Sequence, residues 1–114
     1  MIRGLIVLVA LPTPAMAQLP MLPPAEYDHE FKGVYTVTIA KDIAAVGKIC
    51  NNPLAGLGCS ILLNNGMVCS IFMAPDHVIR SRGVKPEDVK RHEIAHCNGW
   101  GKDHPGGIVI PRGT

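Results

Sequence analysis

His92 and His96 stand four residues apart, with Glu93 directly after the first of them. On a helix this spacing sets two imidazoles about 40° apart around the axis and one turn apart along it, so both can reach a single ion. Neutral imidazole suits Zn²⁺, which in catalytic sites takes three protein ligands and leaves a fourth position for water. On such an ion the pKa of water falls from near 16 to about 7, which makes hydroxide available at neutral pH. Glu93, beside His92, is the expected general base: its carboxylate takes a proton from that water and later hands it to a leaving amine. The pattern therefore predicts metal-assisted hydrolysis with one Zn²⁺ ion and Glu93 as the catalytic residue.

A third ligand must come from outside the pair. His104 is the expected one, because a chain that reverses at Gly99 has the five residues up to His104 in which to return beneath the metal. Asp103 is its rival, since a carboxylate can also ligate zinc, and one of these neighbours could then orient the other or face solvent. The predicted metal set is His92, His96 and His104.

The run His92-Glu93-Ile94-Ala95-His96-Cys97-Asn98-Gly99 resembles the zincin metallopeptidases, and its glycine three residues after the second histidine resembles the extended metzincin-type motif. The resemblance implies that His92 and His96 ligate zinc, that Glu93 is the base, and that Gly99 turns the chain. It covers at best the last third of the sequence. The metzincin pattern places its third histidine three residues after the glycine, where this chain has Lys102; His104 lies two positions later, and no methionine follows it to form that family's Met-turn. Zincins lay substrate along an edge strand preceding the motif helix, and Met67 to Ala74 holds that place in the order of elements. Ordinary sheet core is the other reading of that strand, which Val68, Ile71, Phe72 and Met73 suit equally well. Oxyanion stabilisation is open to Tyr27, Tyr35 or a backbone amide. The leading expectation is hydrolysis of a peptide or protein substrate. Two other functions share the same residues: a non-catalytic zinc-binding or interaction protein in which Glu93 is incidental, and a metal-dependent amidase acting on cell-wall peptides.

Several elements must position this site. Val34 to Ile39 is β-branched and aromatic and predicts a strand. Asp42 suits a helix N-cap, with Ile43, Val46, Ile49 and Cys50 at helical spacing until Asn51-Asn52-Pro53 stops the run. Cys59 to Leu63, Asn64-Asn65-Gly66 and Met67 to Ala74 predict a hairpin. A polar stretch through Gly83 leads to Pro86, which suits the first turn of a helix running to Asn98, with Glu87 and Asp88 at its positive end and Gly99 past its stop. Pro105-Gly106-Gly107 reads as a loop and Ile108 to Ile110 as a terminal strand. The predicted fold is a small α+β domain in which a short mixed or antiparallel sheet packs on two helices, the second carrying the zinc motif. No internal repeat is evident.

Residues 1–17 read as a secretory signal, with Arg3, an apolar run from Leu5 to Leu11, and Ala15-Met16-Ala17 as a small-x-small cleavage site. That run is too short to span a bilayer, so no stable membrane insertion is expected after cleavage, and the destination is periplasmic or extracellular. Residues 18–32 are expected to form a Pro-rich extended or mobile leading segment, and residues 33–114 the metallopeptidase-like domain. Removing 17 of 114 residues leaves one modest core, which at this size needs bracing. Cys50, Cys59, Cys69 and Cys97 all lie in the exported part and predict two disulfides of open connectivity; a four-cysteine zinc site is disfavoured because no two are closely spaced. Without Arg3 the balance is ten basic against nine acidic side chains, which does not suit nucleic acid. Arg80, Arg82 and Lys85, and Lys90-Arg91, read as solvated faces, and two Phe, two Tyr and one Trp make no stacking platform. His29 and His77 read as exposed, and Trp100 as a cap beneath the site. Oligomeric state is open.

Overall fold

The computed structural model describes residues 21–109. The leader and Ile110 lie outside that range. The elements run β1 (Met21–Leu22), β2 (Val34–Ile39), α1 (Ile43–Ile49), β3 (Gly58–Leu63), β4 (Val68–Met73), α2 (Asp76–Ser81), α3 (Pro86–Cys97) and β5 (Ile108–Val109), with short 3₁₀ turns at Ala25–Tyr27 and Asn64–Gly66. The fold is small α+β, as the spacing of apolar residues predicts.

β3 and β4 form the expected antiparallel hairpin, in register Cys59↔Phe72 and Ile61↔Ser70. Asn64, Asn65 and Gly66 all take positive φ in its turn, a conformation that Asn and Gly adopt at the least cost. β2 then pairs with β4 in parallel, from Val34↔Val68 to Ile39↔Met73, giving a mixed sheet in the order β2-β4-β3. β4 is therefore the central strand and not an edge. Cys69, Ile71 and Met73 point from it into the core and are buried, which makes Met67 to Ala74 sheet core and leaves β3 as the edge nearest the motif helix. Strand order depends on where β2 docks, and local sequence does not encode that.

α3 packs across β3 and β4, and α1 packs against β4, both on the side to which Ile71 points. Val46, Ile71, Ile79 and Ala95 are fully buried between these layers. Asp42 caps α1 by accepting the Ala45 N–H at 2.8 Å, worth about 1 kcal/mol. The sequence predicts two helices, and three are present among the described residues. α2 occupies the stretch read as polar loop: the Pro75 carbonyl accepts the N–H groups of Val78 and Ile79 at 3.0 Å, and Ile79 is fully buried. Two apolar residues in six were too few to reveal its period.

The leading segment also departs from expectation. Met21 and Leu22 pair antiparallel with Val109 and Ile108, and the Arg91 guanidinium grips Asp28 through Nε at 2.9 Å and Nη2 at 2.5 Å. The Asn98 side-chain amide donates to the carbonyls of Tyr27 and His29 at 3.0 and 2.7 Å. Residues 21–29 are thus fixed on α3 by partners remote in sequence, which Pro-rich composition does not disclose.

Two disulfides complete the frame. Cys50–Cys59 joins the end of α1 to β3, with Cα atoms 6.3 Å apart, and Cys69–Cys97 joins β4 to the last residue of α3, with Cα atoms 5.9 Å apart. Each bridge stabilises a domain of this size by about 2–4 kcal/mol. The second ties the helix carrying His92 and His96 to the centre of the sheet.

Candidate metal centre

α3 begins as its sequence dictates. Lys85 is extended, Pro86 opens the first turn, and Glu87 and Asp88 face the helix's positive end. It ends in a Schellman motif: the Trp100 N–H returns to the Ala95 carbonyl and the Gly99 N–H to the His96 carbonyl, both at 3.0 Å. Gly99 makes this possible at φ +105°, where a side chain would be strained. The reversal sends residues 100–104 back under the helix, and His104 itself sits at φ +56°.

The structure brings His92, His96 and His104 together. Their three Nε2 atoms form a triangle with all sides 3.2 Å. Asp103 is exposed and lies outside this cluster. Protonation follows from the partners of the other ring nitrogens. His92 Nδ1 lies 2.6 Å from the Met21 carbonyl oxygen and His96 Nδ1 lies 2.8 Å from that of Trp100. A carbonyl only accepts, so each Nδ1 carries the proton and, in a neutral ring, each Nε2 presents a lone pair. Burial keeps the rings neutral: it pushes His92 down to about 4, against the raising effect of the Met21 carbonyl, and His96 and His104 also lower the value. His96 and His104 are themselves held below the ordinary histidine value, again chiefly by burial.

Two lone pairs 3.2 Å apart with no proton between them repel, and a cation shared by the three nitrogens removes that repulsion. The size fits as well. An ion about 2.05 Å from each corner of such a triangle subtends N–metal–N angles of about 100°, close to tetrahedral, with one side left open. The three histidines can hold a metal ion on its chemistry and on its dimensions.

Trp100 forms the floor of the centre. It is 2 % exposed, its indole stacks on the His96 ring at 5.0 Å and 19°, and it meets the rings of His92 and His104 edge-on. Its indole N–H donates to the Pro105 carbonyl at 2.9 Å, so it braces the 99–105 turn and faces away from solvent.

Glu93 sits beside the triangle. It is buried at 5 % exposure, with Oε2 4.0 Å from His92 Nε2. The Ser60 hydroxyl on β3 donates to Oε1 at 2.6 Å and lies 2.9 Å from the Glu93 carbonyl oxygen. Burial raises the carboxyl to about 7, against the lowering effect of Ser60. The close approach of β3 depends on Gly58, where a Cβ would lie 3.0 Å from the Phe72 carbonyl oxygen and 3.2 Å from Val89 Cγ1.

A groove of about 920 Å³ opens over these groups, walled by the Asn51–Leu62 stretch on one side and the Gly99–His104 turn on the other. Asp88 and Lys102 line it as well. Neither Tyr27 nor Tyr35 does; Tyr35 instead underlies the Lys90 ammonium at 5.5 Å. Three roles in the site are not disclosed by sequence. The Met21 carbonyl carries no side-chain signature, and Ser60 is one polar residue in an apolar strand. Trp100 was noticed as a cap, but not as the acceptor that orients His96. The exposed His29 ring bonds the Glu30 carbonyl, and His77 lies exposed on α2, so neither joins the centre. No protein-family model, no curated protein and no solved structure matches this chain, and the donor set with its groove carries the functional reading alone.

Proposed function

We propose that the protein is an exported, zinc-dependent metallopeptidase of zincin type with Glu93 as its general base. The observation that carries this reading is a buried carboxyl 4.0 Å from a ligand-grade imidazole nitrogen, at the base of a groove large enough for an extended chain. Bound Zn²⁺ would supply Lewis acidity and make water acidic at neutral pH. His92 and His96, oriented by the Met21 and Trp100 carbonyls, would hold it together with His104. Glu93, raised to about 7, is matched to take a proton near neutrality and return it to a leaving amine. Ser60 engages Oε1 and leaves Oε2 for that exchange.

β3 suits the role of substrate-aligning edge. The Ala74 N–H bonds the Leu57 carbonyl, and alternation along the antiparallel ladder then turns the N–H and C=O of Gly58, Ser60 and Leu62 away from β4, toward the groove. An extended peptide adding there would gain backbone pairing beside the metal. Two disulfides support export to an oxidising compartment, periplasmic or extracellular. Among the described residues no helix is long and apolar enough to cross a membrane.

The test is Glu93→Gln. Stoichiometric zinc should remain while cleavage of a peptide library falls by about 10²- to 10⁴-fold. A non-catalytic metal site is favoured by the firm hold of Ser60 on Glu93; on that reading the wild type cleaves nothing, and chelation costs only stability.

A further inference from the structure

We propose that two copies of this chain pair through the outer edge of β2, antiparallel about a twofold axis at Val37, to form one continuous six-stranded sheet. β2 flanks the sheet on the side away from the groove. From Val34 to Ile39 it contains no charged residue and no proline, the devices that normally protect a free edge. Val34, Val37 and Ile39 are 66 %, 36 % and 53 % exposed.

Backbone parity limits how such an edge can be used. The Val34 N–H bonds the Met67 carbonyl and the Ala40 N–H bonds the Met73 carbonyl. In a parallel ladder this turns the even-numbered residues of β2 toward β4 and leaves the N–H and C=O of Tyr35, Val37 and Ile39 facing outward. Among the described residues these groups meet no other strand. An antiparallel partner must match outward residue to outward residue, so pairings of an odd with an even position are excluded. Three close registers remain.

In one, Tyr35 faces the partner's Val37, and Asp42 then lies opposite the partner's Glu30, two like charges. In a second, Val37 faces the partner's Ile39 and Asp42 lies opposite uncharged Val34. In the third, Val37 faces the partner's Val37 and Tyr35 faces the partner's Ile39. That register sets exposed Lys32 opposite the partner's exposed Asp42, twice by symmetry, and charge selects it. Narrow pairs centred on Val37 give about six backbone hydrogen bonds across the axis. Apolar pairing of Tyr35 with Ile39 covers surface that each copy alone exposes. Both grooves stay at the outer β3 edges of the joined sheet, so the pairing does not depend on the metal or on the proposed hydrolysis.

Sedimentation velocity and light scattering on the full, disulfide-intact chain across roughly micromolar to hundred-micromolar concentrations test this. The expected result is a concentration-dependent dimer whose Tyr35, Val37 and Ile39 amides are protected from hydrogen exchange. Val37→Lys, which sets two ammonium groups at the axis, should yield a monomer with those amides exchanging freely. Lys32→Glu, at an exposed site outside the strand, should weaken the dimer about tenfold even if the first variant folds poorly. A monomer at every concentration, a dimer indifferent to both substitutions, or protection of the three amides in a monomer would overturn the proposal.

Discussion

The leading segment builds part of the candidate metal centre, and cutting it short should weaken metal binding without unfolding the domain. A chain starting at Pro23 loses β1 and with it the carbonyl oxygen 2.6 Å from His92 Nδ1. The rest of the segment keeps its grip through Asp28–Arg91 and through the Tyr27 and His29 carbonyls on Asn98. In the intact chain the His92 side chain is only 17 % exposed, and without Met21 its Nδ1–H loses its fixed acceptor. Such a loss costs about 1–3 kcal/mol, equivalent to roughly 5- to 150-fold in dissociation constant. This agrees with the 10–100-fold typical of lost partners behind metal-bound histidines. Competition titration against a chromophoric chelator gives the affinity, and circular dichroism checks the fold. A truncated chain that binds zinc within twofold of the intact protein, with unchanged dichroism, would show that the Met21 carbonyl neither orients His92 nor sustains its basicity.

Three further outcomes follow from the same geometry. His104→Ala should remove stoichiometric zinc while Asp103→Ala retains it, read by metal analysis; loss in the Asp103 variant alone would reassign the third ligand. In metal-stripped protein, His92 titrates near 4 folded against about 6.5 unfolded, so the unfolded chain binds more protons between those values and stability falls as pH drops through that window. Glu93, raised to about 7 from near 4.5, acts with the opposite sign, because there the folded chain binds the extra proton. His96 and His104, also held low, act with the sign of His92. Unfolding free energies in urea should therefore fall from pH 7 to 4.5 in wild type, where Glu93 offsets part of the loss, and fall more steeply in Glu93→Gln, where His92 contributes up to about 3 kcal/mol; a flat profile in that variant contradicts the assignment. Replacing Cys69 and Cys97 together by Ala opens a cross-link spanning 28 residues and should cost about 3–4 kcal/mol in urea unfolding at fixed metal loading.

The parts of this site that were legible in the sequence are those encoded over short distances. The His92–His96 spacing, the Pro86 start and the Gly99 stop are local properties of one helix, and His104 follows closely enough for the reversal to place it. The hairpin announced itself through Asn64-Asn65-Gly66. What stayed hidden depends on remote pairing. β2 could have added to either side of the hairpin, and by docking on β4 it moved the groove edge from Met67–Ala74 to Gly58–Leu63. Pro20, Pro23 and Pro24 suggested a free segment because composition reports chain stiffness and says nothing of a partner such as Arg91 or Asn98. Ser60 acquires its role only when Gly58 lets β3 close on α3.

The single tryptophan of the chain lies against all three imidazoles, with its ring plane 19° from that of His96. Ultraviolet emission from one indole is consequently a built-in gauge of whatever those rings carry, since a proton or a cation on an imidazole at van der Waals range alters the excited state. Occupancy can be followed label-free in the native chain, and the 2 % exposure of the fluorophore shields that signal from external quenchers until the turn itself comes apart.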